Sequence, residues 1–278
     1  MIRFWYTSIV TFLIFCGYAS SVWAVSDELE VKFLDIGQGD SVLIRTPHGR
    51  TVLIDGGPGV AILERLGEEL SFWQKRLDMV ILTHPDLDHL EGLVEVLKRF
   101  DVDRVLLTGV AHDSLLYHAF FEQLQQKNIQ PTLVSTDQDW MIDEGVYLDV
   151  LYPIKSVALQ EADNVNDTSV TVRLIYGQTS MFLGGDNEKD AEHELLLTDF
   201  DLSADIFKSG HHGSRTSSAP ELLQAIGAKR VVIQSGRENP FDHPHLDTIL
   251  EFDEKGMEWV NTKDMGTITL VSDGKVWK

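Results

Sequence analysis

Cysteine is all but missing from this 278-residue chain: Cys16 is the only one, and it sits in an apolar N-terminal stretch. No disulfide can form, and a chain that loses this stretch has no thiolate to act as nucleophile or metal ligand. Phe15 precedes Cys16 where lipid attachment needs a small residue, which argues against a lipoprotein signal. Positive charge is also scarce. Lys and Arg number 23 against 44 Asp and Glu, a formal charge of −21. Such a field repels phosphate backbones at long range and argues against tight non-specific binding to nucleic acid without metal ions. Solubility is the simplest account of the acidity. After residue 24 no apolar run is long enough to span a bilayer, so an integral membrane domain is not expected there. No tract rich in Pro, Gly or Ser and no low-complexity segment divides the chain.

What is present begins with Arg3, an apolar run over 4–18, and Ser20-Ser21-Val22-Trp23-Ala24. A positive start, a short apolar run and small residues ending at Ala24 predict a signal peptide over 1–24 and a periplasmic or secreted protein. A retained membrane anchor is the alternative. Cleavage would remove Arg3 and take the net charge to −22 (−21 less one positive charge). The remaining residues 25–278 are expected to form one domain. The whole chain is 43% hydrophobic, with 6 Trp and 13 Phe, enough to build a sizeable core.

Patterning predicts strands over 30–36, 41–45 and 51–54, the last two joined by a turn at "TPHGR" where His48 is solvated. A helix over 60–74, a strand buried on both faces over 77–83, a helix over 90–100, a strand over 103–108 and a helix over 113–127 follow; His112 and His118 lie on its surface. The second half repeats the rhythm. Strands are expected over 146–152, 169–176, 179–183, 204–208 and 229–235, helices over 189–197, 218–226 and 246–255, and a closing hairpin over 258–271. Ser218 and Glu221 have capping-box spacing, with Pro220 in the first turn. Two β-rich halves with helices outside predict an α/β protein of four layers, an αββα sandwich.

The segment "THPDLDHLEG" puts His84, Asp86, Asp88 and His89 within six residues, between a buried strand and a helix. Strand ends are rigidly held yet open at an edge, and imidazole with carboxylate suits zinc or manganese, so this is read as a metal site rather than an acidic turn. Three further strand ends carry similar residues: Asp186 in "MFLGGDN", His211 and His212 in "IFKSGHHGS", and His243 in "NPFDHPH". Taken alone, Asp186 could merely cap a helix and His243 could be an ordinary loop residue. In a layered sandwich the four ends could converge on one edge.

"DIGQGD" at 35–40, "LIDGG" at 53–57, "THPDLDHLEG", "NDTSV" at 166–170, "FLGGD", "KSGHHGS" and the "HP" at 243–244 occur in an order that resembles the metallo-β-lactamase superfamily. The nearest likeness is to its ComEC-like branch, named for the nuclease-like domain of a bacterial DNA-uptake channel, and it covers roughly 29–272. The resemblance implies the αββα metallo-β-lactamase-like sandwich and a site for two divalent ions, zinc being expected. His84 and Asp86 would hold the first ion, Asp88, His89 and His211 the second, and Asp186 both; Asp55 would support a ligand from behind. Asp35, Gln38 and Asp40 belong to the branch fingerprint and would shape the floor of the site. The superfamily commonly supplies another His before the bridging Asp, but here none lies between His118 and His193. Asn166, Asp167 or Ser169 would then be weak oxygen ligands, and manganese or magnesium could replace zinc at the first site. Glu91 stands where a glycine is common.

A pair of ions would acidify a bridging water and clamp a phosphoryl or carbonyl group, with metal charge offsetting Asp86, Asp88 and Asp186. His212 or His243 would protonate the leaving group. Lys208, Ser214 and Arg215 could contact a phosphate, or Lys208 could be an ordinary strand-end surface residue. The expected function is an exported metal-dependent hydrolase of the phosphodiesterase or nuclease-like kind, acting on a small-molecule or nucleic-acid phosphodiester. The alternatives are a hydrolase of carboxylic ester, lactone or β-lactam bonds, and a metal- or partner-binding module without turnover.

Overall fold

The computed structural model describes residues 27–136 and 138–278. The segment 1–24 expected to be a signal peptide, with Cys16, lies outside the described residues.

The first half runs β1 (Leu29–Phe33), β2 (Val42–Arg45), β3 (Thr51–Ile54), α1 (Ala61–Glu69), β4 (Arg76–Leu77), β5 (Met79–Ile81), α2 (Leu87–Arg99), β6 (Asp101–Val102), β7 (Val105–Leu107), α3 (Leu115–Gln126) and β8 (Thr132–Leu133). The second runs β9 (Trp140–Asp143), β10 (Val146–Tyr152), β11 (Thr171–Tyr176), β12 (Thr179–Leu183), α4 (Lys189–Leu196), β13 (Ile206–Lys208), α5 (Pro220–Ile226), β14 (Arg230–Ile233), α6 (Leu246–Glu254), β15 (Glu258–Asn261), α7 (Thr262–Met265) and β16 (Ile268–Ser272). They make two seven-stranded sheets, ordered β16-β1-β2-β3-β5-β7-β8 and β15-β14-β13-β12-β11-β10-β9, plus the small pair β4-β6. Each large sheet is antiparallel at one end and parallel at the other, the change falling at β3 in one and β12 in the other.

Three apolar clusters fill the spaces between four layers. Val31, Ile44, Ile54, Ile81, Leu148, Val172, Met181 and Ile206 meet between the sheets. Leu43, Leu53 and Val80, on the other face of the first sheet, pack with Leu66, Leu93, Leu97 and Phe120 of α1, α2 and α3. Phe182, Phe207 and Val231 do the same against Leu195, Leu222 and Phe252 of α4, α5 and α6. Strands covered on both faces explain the unbroken apolar runs such as "LDMVILT". The architecture is the expected αββα sandwich.

Several local expectations need correction. No hairpin closes the chain: β15 pairs with β14 in the second sheet, whereas β16 pairs with β1 in the first. Between them α7 and Gly266, at φ +76°, redirect the backbone. The capping box is not formed. The cap of α5 is Ala219, without a side-chain bond, and the buried Glu192 carboxylate of α4 instead accepts the N–H groups of Ser218 and Ala219 at 2.6 and 2.7 Å. Helix α1 stops at Glu69 rather than 74, because Leu70 is extended (ψ 148°). Helix α2 starts at Leu87, so Asp88 and His89 belong to its first turn rather than to a preceding loop. Edge strands β8 and β9 carried no clear signal.

Candidate metal centre

Several side chains of the candidate site leave the end of a strand in the parallel part of a sheet, or the turn just beyond it, the usual place for a site in such sheets, while Asp88 and His89 lie in the first turn of α2 and Asp40 in the loop before β2. Asp55 follows β3, His84 follows β5, Asp186 follows β12 and His212 follows β13. Two glycines set the spacing. A Cβ on Gly92 of α2 would lie 2.0 Å from the carbonyl oxygen of Gly56, so only glycine lets the helix start this close to the loop after β3. The Gly56 N–H donates to the His89 carbonyl at 2.8 Å, and His89 is thereby held against Asp55.

Asp55 is buried, with left-handed backbone (φ 57°), a strained state for a non-glycine residue. Its carboxylate accepts from the Thr83 N–H at 2.8 Å, the Thr83 hydroxyl at 2.7 Å and His89 Nδ1 at 2.8 Å. A proton is therefore held at His89 Nδ1, and Nε2 is the nitrogen left to meet a cation. Thr83 spends its hydroxyl hydrogen on Asp55, so its oxygen, 3.0 Å from His84 Nδ1, accepts there. His84 presents a bare Nε2. One carboxylate thus fixes the tautomer of two imidazoles. His212 is fixed independently: its Nδ1 lies 3.2 Å from Asp40 Oδ1 and 3.1 Å from the Gln234 carbonyl, both acceptors.

The freed nitrogens converge. His89 Nε2 is 3.3 Å from Asp186 Oδ2, and His212 Nε2 is 3.2 Å from both Asp186 Oδ2 and Asp88 Oδ2. His84, His89 and Asp186 offer ligand atoms within 4.8 Å of one another, as do Asp88, His89 and His212, and the two groups share His89. The Nε2 atoms of His84, His89 and His212 and Oδ1 of Asp186 are buried without a hydrogen-bond partner. Orphaned lone pairs of imidazole and carboxylate at one buried point fit divalent cations, which accept such atoms directly. Asp86 stands at the start of α2 on the rim, its Oδ2 3.7 Å from His84 Nε2 and its side chain 40% exposed.

Charges follow from the packing. Burial and the neighbouring His89 push His84 down to about 3. Burial also opposes charge on His89 and His212, yet Asp186 with Asp55, and Asp186 with Asp40, outweigh it and raise both well above an ordinary imidazole, so each Nε2 holds a second proton that a cation would displace. Burial by itself would raise Asp186, but His212 and His89 hold it well below the usual carboxylate range. These carboxylates are poised to balance positive charge.

The two adjacent histidines are placed opposite to expectation. Both have positive φ, 46° and 54°. His212 turns inward to the donor set. His211 stays on the rim: its Nε2 is 3.8 Å from Asp186, and its Nδ1 lies 3.2 Å from Glu188 and from Thr216 Oγ1. His243 is buried, its ring centroid 5.4 Å from that of His211 and 6.0 Å from that of His212. Burial and the charge of those neighbours push it down to about 4, so it is neutral near pH 7.

Lys208 is not a surface residue. It is buried and ion-paired with Asp40, directly behind His212. Ser214 bonds Thr216, its hydroxyl 3.0 Å from Thr216 Oγ1. Ser169 accepts the Asp186 N–H at 3.1 Å and donates to the Asn166 carbonyl at 2.7 Å, Asn166 donates to Glu188 at 3.4 Å, and Asp167 accepts the Glu188 N–H at 2.8 Å. These residues brace the Asp186 turn. Glu91 accepts the Gly59 N–H at 2.6 Å and so ties α2 to the loop after β3.

A model of the metallo-beta-lactamase superfamily matches residues 34–237. The chain belongs to that superfamily. Metallo-beta-lactamase proteins are generally metal-dependent hydrolases. The chain is 28% identical to ComE operon protein 3 of Bacillus subtilis (strain 168) over 267 residues, 88% of this chain and 33% of that protein. It is 29% identical to competence protein ComA of Neisseria gonorrhoeae over 222 residues, 78% and 28% of the two chains. These relatives agree with the ComEC-like branch; the chain spans about a third of their length or less. Among solved structures, the metallo-beta-lactamase fold protein YhfI from Bacillus subtilis is similar in fold, with a TM-score of 0.57, 15% identity, and coverage of 89% of this chain and 100% of that one. No helix among the described residues is long and apolar enough to cross a membrane.

Proposed function

We propose that this chain is a metal-dependent phosphodiesterase acting on nucleic-acid or nucleotide phosphodiesters, and that residues 1–24 direct its export. The observation that carries the reading is the pair of adjoining donor groups sharing His89, with Asp186 facing both His89 and His212. Paired divalent ions held there would supply an acidified water and charge to offset a phosphoryl group. His84, His89 and Asp186 are the ligands on one side, Asp88, His89 and His212 on the other, with Asp86 at the rim beside His84. Zinc suits this set, and manganese or magnesium suits the side richer in oxygen.

The remaining roles belong to the chain's own residues. Asp55 and Thr83 orient His84 and His89; Asp40, Lys208 and the Gln234 carbonyl orient His212; Ser169 holds the Asp186 turn. His211, on the rim with Nδ1 against Glu188, is placed to pass a proton to the leaving group. This reassigns the parts first expected of His211 and His212. The names of the competence relatives support a nucleic-acid substrate.

Metal analysis of purified protein should find about two ions per chain. Hydrolysis of bis(p-nitrophenyl) phosphate should exceed that of nitrocefin and p-nitrophenyl acetate, with and without added manganese; the reverse order would select the ester, lactone or β-lactam reading. Asp186→Ala should abolish turnover. Mass spectrometry of exported protein should find a chain starting at Val25, and an intact Met1 refutes the leader.

A further inference from the structure

One large apolar side chain near the site stands largely in solvent. Phe241, in the loop after β14, is 57% exposed, yet its ring stacks on His243 at 5.6 Å between centroids and 26° between planes. His243 in turn touches the rings of His211 and His212, so Phe241 is the outer plate of an aromatic column ending at the donor cluster.

The loop that presents it is tied together by hydrogen bonds. Asn239 donates to the carbonyls of Gly236 and His243 at 2.8 and 3.0 Å, and its own carbonyl accepts the His243 N–H at 2.8 Å. Asp242, the next residue after Phe241, holds left-handed backbone at φ 58°. Strain of this kind persists where surrounding structure over-determines it, and it concentrates at ligand clamps. An exposed aromatic ring fixed in advance loses little entropy when a flat partner stacks on it. Arg215, exposed, donates its backbone N–H to His245, whose ring lies 4.9 Å from that of His243, and its charge acts on the His245 ring, so a cation borders the same column in an otherwise acidic protein.

We propose that Phe241 is a specificity-determining stacking platform for an unpaired nucleobase, seating single-stranded nucleic acid with a phosphodiester towards the cluster and Arg215 beside the adjoining phosphate. This rests on the phosphodiester reading. Stacking on an aromatic side chain tolerates any base, because every base has a π-face. A duplex would bury its bases and leave the platform idle.

The test uses zinc-loaded protein and two fluorescently labelled, nuclease-resistant phosphorothioate hexamers: hexathymidylate and the same backbone without bases. Fluorescence anisotropy gives their Kd ratio. Wild type should prefer the base-bearing strand about tenfold. Phe241→Ala and Phe241→Leu, the second keeping apolar bulk without a π-face, should bring the ratio towards one, and Phe241→Trp should retain it. A wild-type ratio near one, or an undiminished ratio in Phe241→Leu, overturns the proposal. Cleavage of unmodified hexathymidylate is scored separately. Base preference without cleavage sinks the hydrolase reading and leaves the platform standing; cleavage with a ratio of one does the opposite.

Discussion

Replacing Asp55 by Asn changes neither shape nor volume appreciably, yet it should disable two imidazoles. All three partners of the Asp55 carboxylate are donors: the Thr83 N–H, the Thr83 hydroxyl and His89 Nδ1. An amide nitrogen in place of either oxygen must face at least one of them. With the nitrogen at the Oδ2 position, His89 escapes the clash by moving its proton to Nε2, the atom that faces Asp186. The Thr83 hydroxyl, no longer accepted by Asp55, turns to His84 Nδ1 and drives that proton to Nε2 as well. Neither ring can then offer an Nε2 lone pair to the cluster. Losing one hydrogen bond to a charged group is worth about 1.5–3 kcal/mol, or roughly 10- to 150-fold in an equilibrium constant. Outer partners of metal-binding histidines typically change affinity by about 10- to 100-fold. Zinc affinity measured at pH 7 by competition with a chromophoric chelator should therefore fall by about 10- to 100-fold, with circular dichroism confirming a folded variant. A dissociation constant within threefold of wild type would refute the tautomer argument.

His212→Ala should weaken zinc binding by more than tenfold and His211→Ala by much less, the same chelator competition ranking the two; equal losses would contradict their opposite orientations. Lys208→Met leaves the buried Asp40 carboxylate without its cation and should cost about 3–5 kcal/mol, a melting-temperature drop of about 10 °C for a chain of this size, with Asp40→Asn in the same molecule restoring much of it. Glu192 is buried, and burial lifts it to about 7 from 4.5 even though two backbone N–H groups favour its ionised form. Its folded-state value is raised, so its contribution to stability is complete below about pH 4.5 and is lost as pH rises through about 7. That contribution amounts to about 3 kcal/mol. The unfolding free energy of wild type minus that of Glu192→Gln should accordingly shrink between pH 5 and pH 8.5, and a difference that grows with pH would reverse the assignment.

How far the sequence spoke can be judged residue by residue. The apolar runs and their helical partners foretold four layers, because strands covered on both faces must read as continuous hydrophobic segments. Clusters of His and Asp at strand ends foretold a shared edge, since a parallel sheet presents those ends together. The choice between His211 and His212 was not legible. Consecutive left-handed residues abandon the alternation that tells inward from outward, and only the packing against Asp40 and the Gln234 carbonyl decides it. Lys208 could not be matched to Asp40, far away in sequence, by any local pattern. The N–H groups before α5 were satisfied from a neighbouring helix rather than by the nearby Ser218. Strands β15 and β16 look like a hairpin because each has strand composition, but composition says nothing about which sheet accepts it. Glu91 acquired a reason only once its carboxylate was seen to accept the Gly59 N–H.

Each large sheet passes from antiparallel to parallel pairing, and the donor cluster straddles the seam between the two halves of the chain. His84, Asp88 and His89 come from one half, Asp186 and His212 from the other. A cation lodged there works as a clasp: it closes a loop of roughly half the polypeptide, and neither half can peel away without releasing it. Chelation should then loosen the molecule along this seam before it erodes either half, so that the same grip which readies the site for chemistry also makes occupancy a condition of mechanical wholeness.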